Sequence, residues 1–172
     1  NGAIVSSAPM NHPGECVAYR IEADGAVFVL ATDTEPGSTI HDHAVRELAK
    51  GADVLVYDGQ YTPEQLEGDR RGWGHSCWLE GTRIALECGV KELLLFHHDP
   101  DNDDAFIDGL VEKARQEFRH VAGAAEGTEL DLPKGEFRRA TLAEGHERRR
   151  ECRYRLEIPV RLAWQGSQGE AW

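Results

Sequence analysis

The sequence of 172 residues contains no apolar run that approaches the roughly 20 residues of a membrane-spanning helix. It opens with Asn-Gly-Ala and lacks the positively charged and then apolar pattern of a secretory leader. We therefore expect a soluble, cytoplasmic protein.

Positive charge is scarce, because 19 lysines and arginines face 31 acidic residues and the net charge is -12. Such a surface repels the phosphates of nucleic acids unless a bound metal or a local basic patch reverses the field. The composition therefore disfavours generic nucleic-acid binding.

Cysteine is also rare, and no two of the four cysteines have the spacing of a metal-binding or redox motif. Each lies in an apolar or mixed run, as small buried hydrophobic side chains do. We expect reduced thiols at Cys16, Cys77, Cys88 and Cys152.

What is present is enough apolar surface for one globular domain, since 40% of the residues are hydrophobic. Apolar runs at residues 3–8, 16–21 and 26–31 predict three short strands, the last two forming a hairpin with an Asp-Gly turn. Ser38-Thr39 can cap a helix that continues to about Lys50.

Strands and helices alternate in the next part of the chain, which predicts an α/β fold. The predicted elements are a strand at 54–57, a helix at 76–87 closed by Gly89, a strand at 92–96, an acidic cap at 101–104 and a helix at 105–118. The loop from Gly59 to Gly74 is long for a simple connection and suggests a functional role.

Composition changes after Leu132, where arginine and glutamate become frequent and no apolar period remains. This pattern predicts a charged linker or helix that leads into a strand at 156–164. We therefore divide the chain into a domain at 1–132 and a segment at 133–172.

Polar residues lie beside the apolar β-runs, where open α/β folds place ligands and catalytic groups. They are His12, Asp33, His75 and the run His97-His98-Asp99. Histidine with carboxylate suits Zn, Fe or Mn. Simpler roles remain open: His12 can mark a turn, Asp33 can cap a strand, and His75 can be a packed side chain beside an N-capping Ser76.

A family resemblance appears when these residues are taken in order. The motifs that carry it are Asn11-His12-Pro13-Gly14, Ala31-Thr32-Asp33-Thr34-Glu35, Gly74-His75-Ser76, Leu95-Phe96-His97-His98-Asp99-Pro100 and Ala125-Glu126-Gly127. Over about residues 3–132 the chain resembles the second half of metallo-β-lactamase-fold hydrolases, in the phosphodiesterase-like branch that includes the tRNA 3′-processing nuclease.

The resemblance implies an αββα sandwich of which this chain forms only the C-terminal half, and two divalent metal ions, Zn in first place with Mn or Fe as alternatives. It implies that His12 binds one metal, Asp33 bridges both and His97 binds the other. His75 would steady a phosphate oxygen or protonate a leaving group. His98 is a further candidate, and Asp99 would orient a neighbouring imidazole.

The chain departs from the family in lacking the motif His-x-His-x-Asp-His. His41 and His43 offer His-x-His, but they open a helix after Asp33, where the order of motifs is wrong, so we expect both to face solvent. Three ligands are few for two cations. We expect a missing N-terminal segment rather than lost metal chemistry, and a partner chain or second copy could cover the bare sheet face.

The tail carries a weaker resemblance to the start of a PilZ domain, a family that binds cyclic di-GMP. Arg149 and Arg153 match its Arg-x-x-x-Arg motif, in which guanidinium groups contact phosphates and guanines. An arginine-rich solvated helix or linker explains the same residues.

The sequence thus favours a metal-dependent hydrolase of a small-molecule phosphodiester or related ester. The alternative is a non-catalytic, metal-free regulatory module that binds a nucleotide through the tail. An acyl or thioester hydrolase on the same fold is a third possibility, because a fold does not determine a substrate.

Overall fold

The computed structural model describes residues 2–125, 129–132 and 136–138. In chain order the elements are β1 (Ile4–Pro9), β2 (Val17–Ala23), β3 (Ala26–Ala31), α1 (Thr39–Ala49), β4 (Val54–Asp58), α2 (Pro63–Glu67), α3 (Trp78–Cys88), β5 (Glu92–Phe96), α4 (Asp104–Glu117), β6 (Val121–Gly123), β7 (Glu129–Asp131) and β8 (Glu136–Arg138).

The first three strands form an antiparallel meander at one side of a six-stranded sheet. Asp24 and Gly25 join β2 to β3 with φ values of 50° and 82°. A two-residue turn with both φ angles positive follows the natural twist of a hairpin. The predicted hairpin is therefore confirmed.

Strands β3 to β6 are parallel neighbours, in the order β3-β4-β5-β6. Helices α1, α3 and α4 provide the three crossovers, as parallel strands require. The carboxyl ends of β3, β4 and β5 consequently lie side by side at one edge of the sheet. The predicted α/β class is confirmed.

The main hydrophobic core lies between this sheet and the layer formed by α1, α3 and α4. Alternate strand residues face that layer, among them Val29, Leu55, Tyr57, Leu93 and Leu95. The intervening residues Phe28, Val54, Val56 and Leu94 form a second buried cluster on the opposite face of the sheet. Both faces of β4 and β5 are therefore buried, which explains their continuous apolar runs.

The start of α3 differs from the prediction, and the loop before it contains a short helix. Helix α3 begins at Trp78 with Cys77 at the N-cap, so Ser76 is not the cap; the predicted end is confirmed by Gly89, at φ 64°. The segment from Gly59 to Gly74 contains α2, which starts in a capping box formed by Thr62 and Gln65.

The described part of the chain contains no helix that is long and apolar enough to cross a bilayer. Strands β7 and β8 pair in a separate antiparallel ladder. Arg149 and Arg153, the predicted nucleotide-binding pair, lie outside the described residues.

Two leucines, one in the sheet and one on a helix, allow a direct test of the core. Leu93 in β5 is fully buried, whereas Leu86 on α3 is 57% exposed. We expect Leu93→Ala to lower the free energy of unfolding by about 2–5 kcal/mol, because it leaves a cavity between sheet and helices. The matched change Leu86→Ala should stay within about 0.5 kcal/mol. Chemical denaturation measures both, and equal losses would contradict the assigned core.

Candidate metal centre

Five side chains from separate elements converge at the carboxyl edge of the parallel strands. Asp33 follows β3, Asp58 ends β4 and His97 follows β5, while His12 follows β1 and His75 precedes α3. One ligating atom from each of His12, Asp33 and His75 lies within 4.8 Å of the others, and the same holds for Asp58, His75 and His97. The predicted residues His12, Asp33, His75 and His97 thus come together, with Asp58 added.

Asp33 lies between two imidazoles. Its Oδ1 atom is 3.1 Å from Nε2 of His97 and 4.0 Å from Nε2 of His12. Asp33 and His97 both adopt left-handed backbone conformations, with φ values of 55° and 59°. Such conformations cost a non-glycine residue on the order of 1–3 kcal/mol and cluster at functional sites.

Asp58, which the sequence analysis missed, is completely buried. Its carboxylate accepts backbone N–H groups from Asp33 at 2.9 Å, Gln60 at 3.2 Å and Ser76 at 3.2 Å. It also pairs with Nδ1 of His75 at 3.0 Å. The available signal was its position directly after the apolar run 54–57, which parallels the position of Asp33 after β3.

The environment of His75 favours its protonated form. Burial lowers the pKa of this imidazole, but the hydrogen bond to Asp58 and the charges of Asp33 and Glu35 outweigh burial, so the pKa lies above its usual value. The stabilisation that comes from protonated His75 is fully present below the pKa of histidine in the unfolded chain. It is lost as the pH rises through the pKa of His75 in the folded chain.

Gln60 provides a structural indication that His97 can act as a metal ligand. Its amide nitrogen lies 3.5 Å from Nδ1 of His97, and its Oε1 atom is buried without a hydrogen-bond partner. With a cation at Nε2 the ring proton would lie on Nδ1, and the Gln60 amide turned by half a turn would place its oxygen there to accept it. The lone pair on Nε2 would then face the cation, as is typical of metal-binding histidines.

The ring of His12 is held at Nδ1, the ring nitrogen that does not face Asp33. Its Nδ1 atom accepts the N–H of Gly14 at 2.9 Å and lies 3.3 Å from the sulfur of Cys16. Burial, with the charges of Asp33 and Asp58, raises the pKa of the Cys16 thiol. Because Nδ1 accepts the Gly14 N–H, the proton of the neutral ring lies on Nε2, and binding of a cation at Nε2 would require that proton to leave and the Gly14 N–H to find another acceptor if Nδ1 became protonated.

Glu35 connects the loop before α3 to the centre. The sequence analysis did not identify this role. Its carboxylate accepts the N–H groups of Gly72 and Gly74, each at 2.9 Å. Its backbone exchanges hydrogen bonds with Asn11, beside His12. Gly74 has φ 92°, and a Cβ atom there would lie 2.4 Å from Cδ2 of His12. The pattern Gly-x-Gly at 72–74 was the signal in the sequence.

The other candidate residues lie beside the centre. The His98 ring faces the position that a Gly123 side chain would occupy, at 3.9 Å. Asp99 accepts the N–H of Asp101 in a turn. His43 is exposed as expected, whereas His41 is half-buried and hydrogen-bonded to Ser38.

The donor set fits a divalent metal. Three imidazoles and two carboxylates suit Zn, and also Mn or Fe. Asp58 already accepts four hydrogen bonds, so His12, Asp33 and His97 are the better candidates for direct ligation, with Asp58 orienting His75.

The chain belongs to the family described as the beta-lactamase superfamily domain, whose pattern matches residues 3–98. The predicted metallo-β-lactamase fold is thereby confirmed. The solved structure of the metallo-beta-lactamase fold protein YhfI from Bacillus subtilis matches with a TM-score of 0.60 and 26% identity, over 72% of this chain and 47% of that one.

The curated relatives include several proteins named ribonuclease Z. The protein from Brevibacillus brevis is 43% identical over 98 residues, which cover 55% of this chain and 29% of that protein. The protein from Thermoplasma volcanium is 36% identical over 108 residues, which cover 63% of this chain and 33% of that protein. The chain spans about a third of the length of these relatives.

A more distant likeness supports the fold alone. Human tRNase Z, short form, matches with a TM-score of 0.53 and 17% identity, over 72% of this chain and 41% of that one.

The role of Asp58 can be tested with two substitutions in metal-free protein. Asp58→Ala leaves three backbone N–H groups without an acceptor, two of them buried, and should cost about 2–4 kcal/mol of unfolding free energy, measured by denaturation. Asp58→Asn should lower the pKa of His75, because burial then acts without the compensating carboxylate. An unchanged His75 titration by NMR in Asp58→Asn would contradict the assigned pair.

Gly74 and Gly72 form a matched pair for testing the contact with His12. Both have positive φ and donate to Glu35, but only Gly74 approaches His12, whereas a Cβ atom at Gly72 meets nothing within 4 Å. Both alanine variants should lose stability. Only Gly74→Ala should also displace the His12 ring signals in NMR spectra, and the same displacement in Gly72→Ala would contradict this contact.

Proposed function

We propose that this chain contributes a metal centre to a hydrolase of RNA phosphodiester bonds. The observation that carries the proposal is the position of the Asp33 carboxylate between the Nε2 atoms of His12 and His97. The relatives named ribonuclease Z support a phosphodiester as the substrate, rather than an acyl ester or a thioester.

The ligands follow from the same geometry. His12 would hold one divalent cation, His97 a second, and Asp33 would serve both. Cations bound there supply a water of lowered pKa and positive charge opposite the substrate oxygens. Zinc suits these donors, and manganese or iron are compatible with them.

His75 is placed to supply the proton for the leaving group. The Asp58 carboxylate accepts a hydrogen bond from Nδ1–H of His75 at 3.0 Å, which orients the ring and leaves Nε2 outside this pair. In the metal-free chain, burial lowers the pKa of His75, but the hydrogen bond to Asp58 outweighs burial and the pKa is raised. A general acid beside a phosphodiester benefits from both properties, because it has to be charged and correctly oriented before transfer.

An RNA substrate is compatible with the acidic composition when the attraction is local. The net charge of -12 disfavours binding to arbitrary nucleic acid. Cations at the centre reverse the field at the one place where a phosphate has to enter. We infer that cleavage is confined to a phosphate that reaches this centre, and we place the protein in the cytoplasm, where RNA substrates are found.

Metal titration of this chain tests the proposal. We expect isothermal titration with Zn²⁺ to show binding that Asp33→Asn and His97→Gln each weaken by at least about tenfold, since each removes a proposed ligand. His43→Gln is the matched control, because His43 is exposed on α1 and lies outside the cluster.

Hydrolysis of a chromogenic phosphodiester by Zn²⁺- or Mn²⁺-loaded protein is the second measurement. His75→Gln should lower the rate with little change in metal affinity. Equal Zn²⁺ affinity in the parent, Asp33→Asn and His97→Gln proteins would refute the metal centre.

A further inference from the structure

We propose that Trp73 and Arg70 form a nucleotide-binding platform beside the metal centre, where Trp73 stacks on a base of the RNA and Arg70 contacts a neighbouring phosphate. This inference rests on the proposed function, because it names the part of an RNA substrate that the loop before α3 would recognise.

The first observation is that Trp73 is exposed although its backbone is firmly held. Its indole is 53% exposed. The residues on either side, Gly72 and Gly74, donate their N–H groups to the carboxylate of Glu35. Glu35 lies two residues after Asp33 in the chain. Trp73 is thus fixed at the edge of the centre instead of being buried in the core.

The second observation is the position of Arg70. Its guanidinium carbon lies 4.5 Å from the centroid of the Trp73 ring and 5.8 Å from that of Tyr61. The Tyr61 ring is in edge contact with His75, with centroids 6.0 Å apart. A continuous series of rings and a guanidinium therefore leads from the proposed acid to the exposed indole.

The third observation is that the charge of Arg70 is not neutralised by an ion pair. Among the described residues no carboxylate forms a salt bridge with Arg70, and its Nε atom is buried without a hydrogen-bond partner. In a chain of net charge -12, Arg70 thus places a positive charge near the centre that no salt bridge neutralises. Stacking on aromatic rings holds it in place and leaves its charge for an anion.

A nucleotide can bind both the Trp73 indole and the Arg70 guanidinium. The indole, covered by Arg70 on one side, can stack against a flat base, which all four RNA bases offer. The guanidinium suits phosphate oxygens through its planar donors. A phosphodiester between two nucleosides presents a base and a phosphate close together, so one substrate can contact Trp73, Arg70 and the centre.

Fluorescence anisotropy on metal-free protein, at one salt concentration, tests the platform without cleavage. Two labelled RNA tetranucleotides serve as probes, identical except that one is abasic at every position. We expect Trp73→Ala to weaken binding of the complete probe about tenfold, within the range for base–aromatic stacking, and to leave the abasic probe unchanged. Trp73→Phe should retain most of the affinity.

Arg70→Ala should weaken both probes, because both contain phosphates, and Leu86→Ala at the far end of α3 should weaken neither. The platform is wrong if the parent protein binds neither probe, or if Trp73→Ala binds the complete probe as the parent does. Because no metal is present, this result is independent of the Zn²⁺ titration. Absence of Zn²⁺ binding by the parent protein would refute the metal centre alone, and equal binding of the complete and abasic probes by the parent protein would refute the platform alone.

Discussion

The buried carboxylate of Asp58 is the interaction on which the site depends. It accepts hydrogen bonds from the backbone of Asp33, Gln60 and Ser76 and from the ring of His75. A buried carboxylate is costly unless its lone pairs are satisfied, so these four groups have to meet it in one arrangement. The end of β4 thereby determines how the chain leaves β3 and how it enters α3.

Strain and rigidity are combined around this carboxylate. Asp33 and His97 both adopt left-handed conformations, which non-glycine residues avoid. The Asp33 N–H bond to Asp58 and the His97 contact with Asp33 offset part of that cost. Parallel strands then hold these side chains at neighbouring positions, so the donors are oriented before any cation arrives. Glu35 likewise holds the loop that carries Trp73, because its carboxylate accepts backbone N–H groups on both sides of that residue.

Much of the fold could be predicted from local patterns. The Asp24-Gly25 hairpin and Gly89 at the end of α3 depend on backbone preferences of single residues, and both predictions are confirmed. The role of Ser76 could not be predicted in this way. Its sequence position suits a helix cap, but α3 begins with Cys77 at the N-cap, and the Ser76 N–H donates to Asp58, a contact across 18 positions of the chain. Local sequence carries no signal for such a long-range contact.

By itself, the sequence determined the alternation of strands and helices and the residues able to bind a metal, because hydrophobic period and side-chain chemistry are properties of short segments. Only the tertiary structure decided which of these residues meet. His12 and His97 come together at Asp33, whereas His98, next to His97, points elsewhere. The reason is geometric: strand order and backbone φ angles set the direction of each side chain, and both depend on contacts between distant parts of the chain.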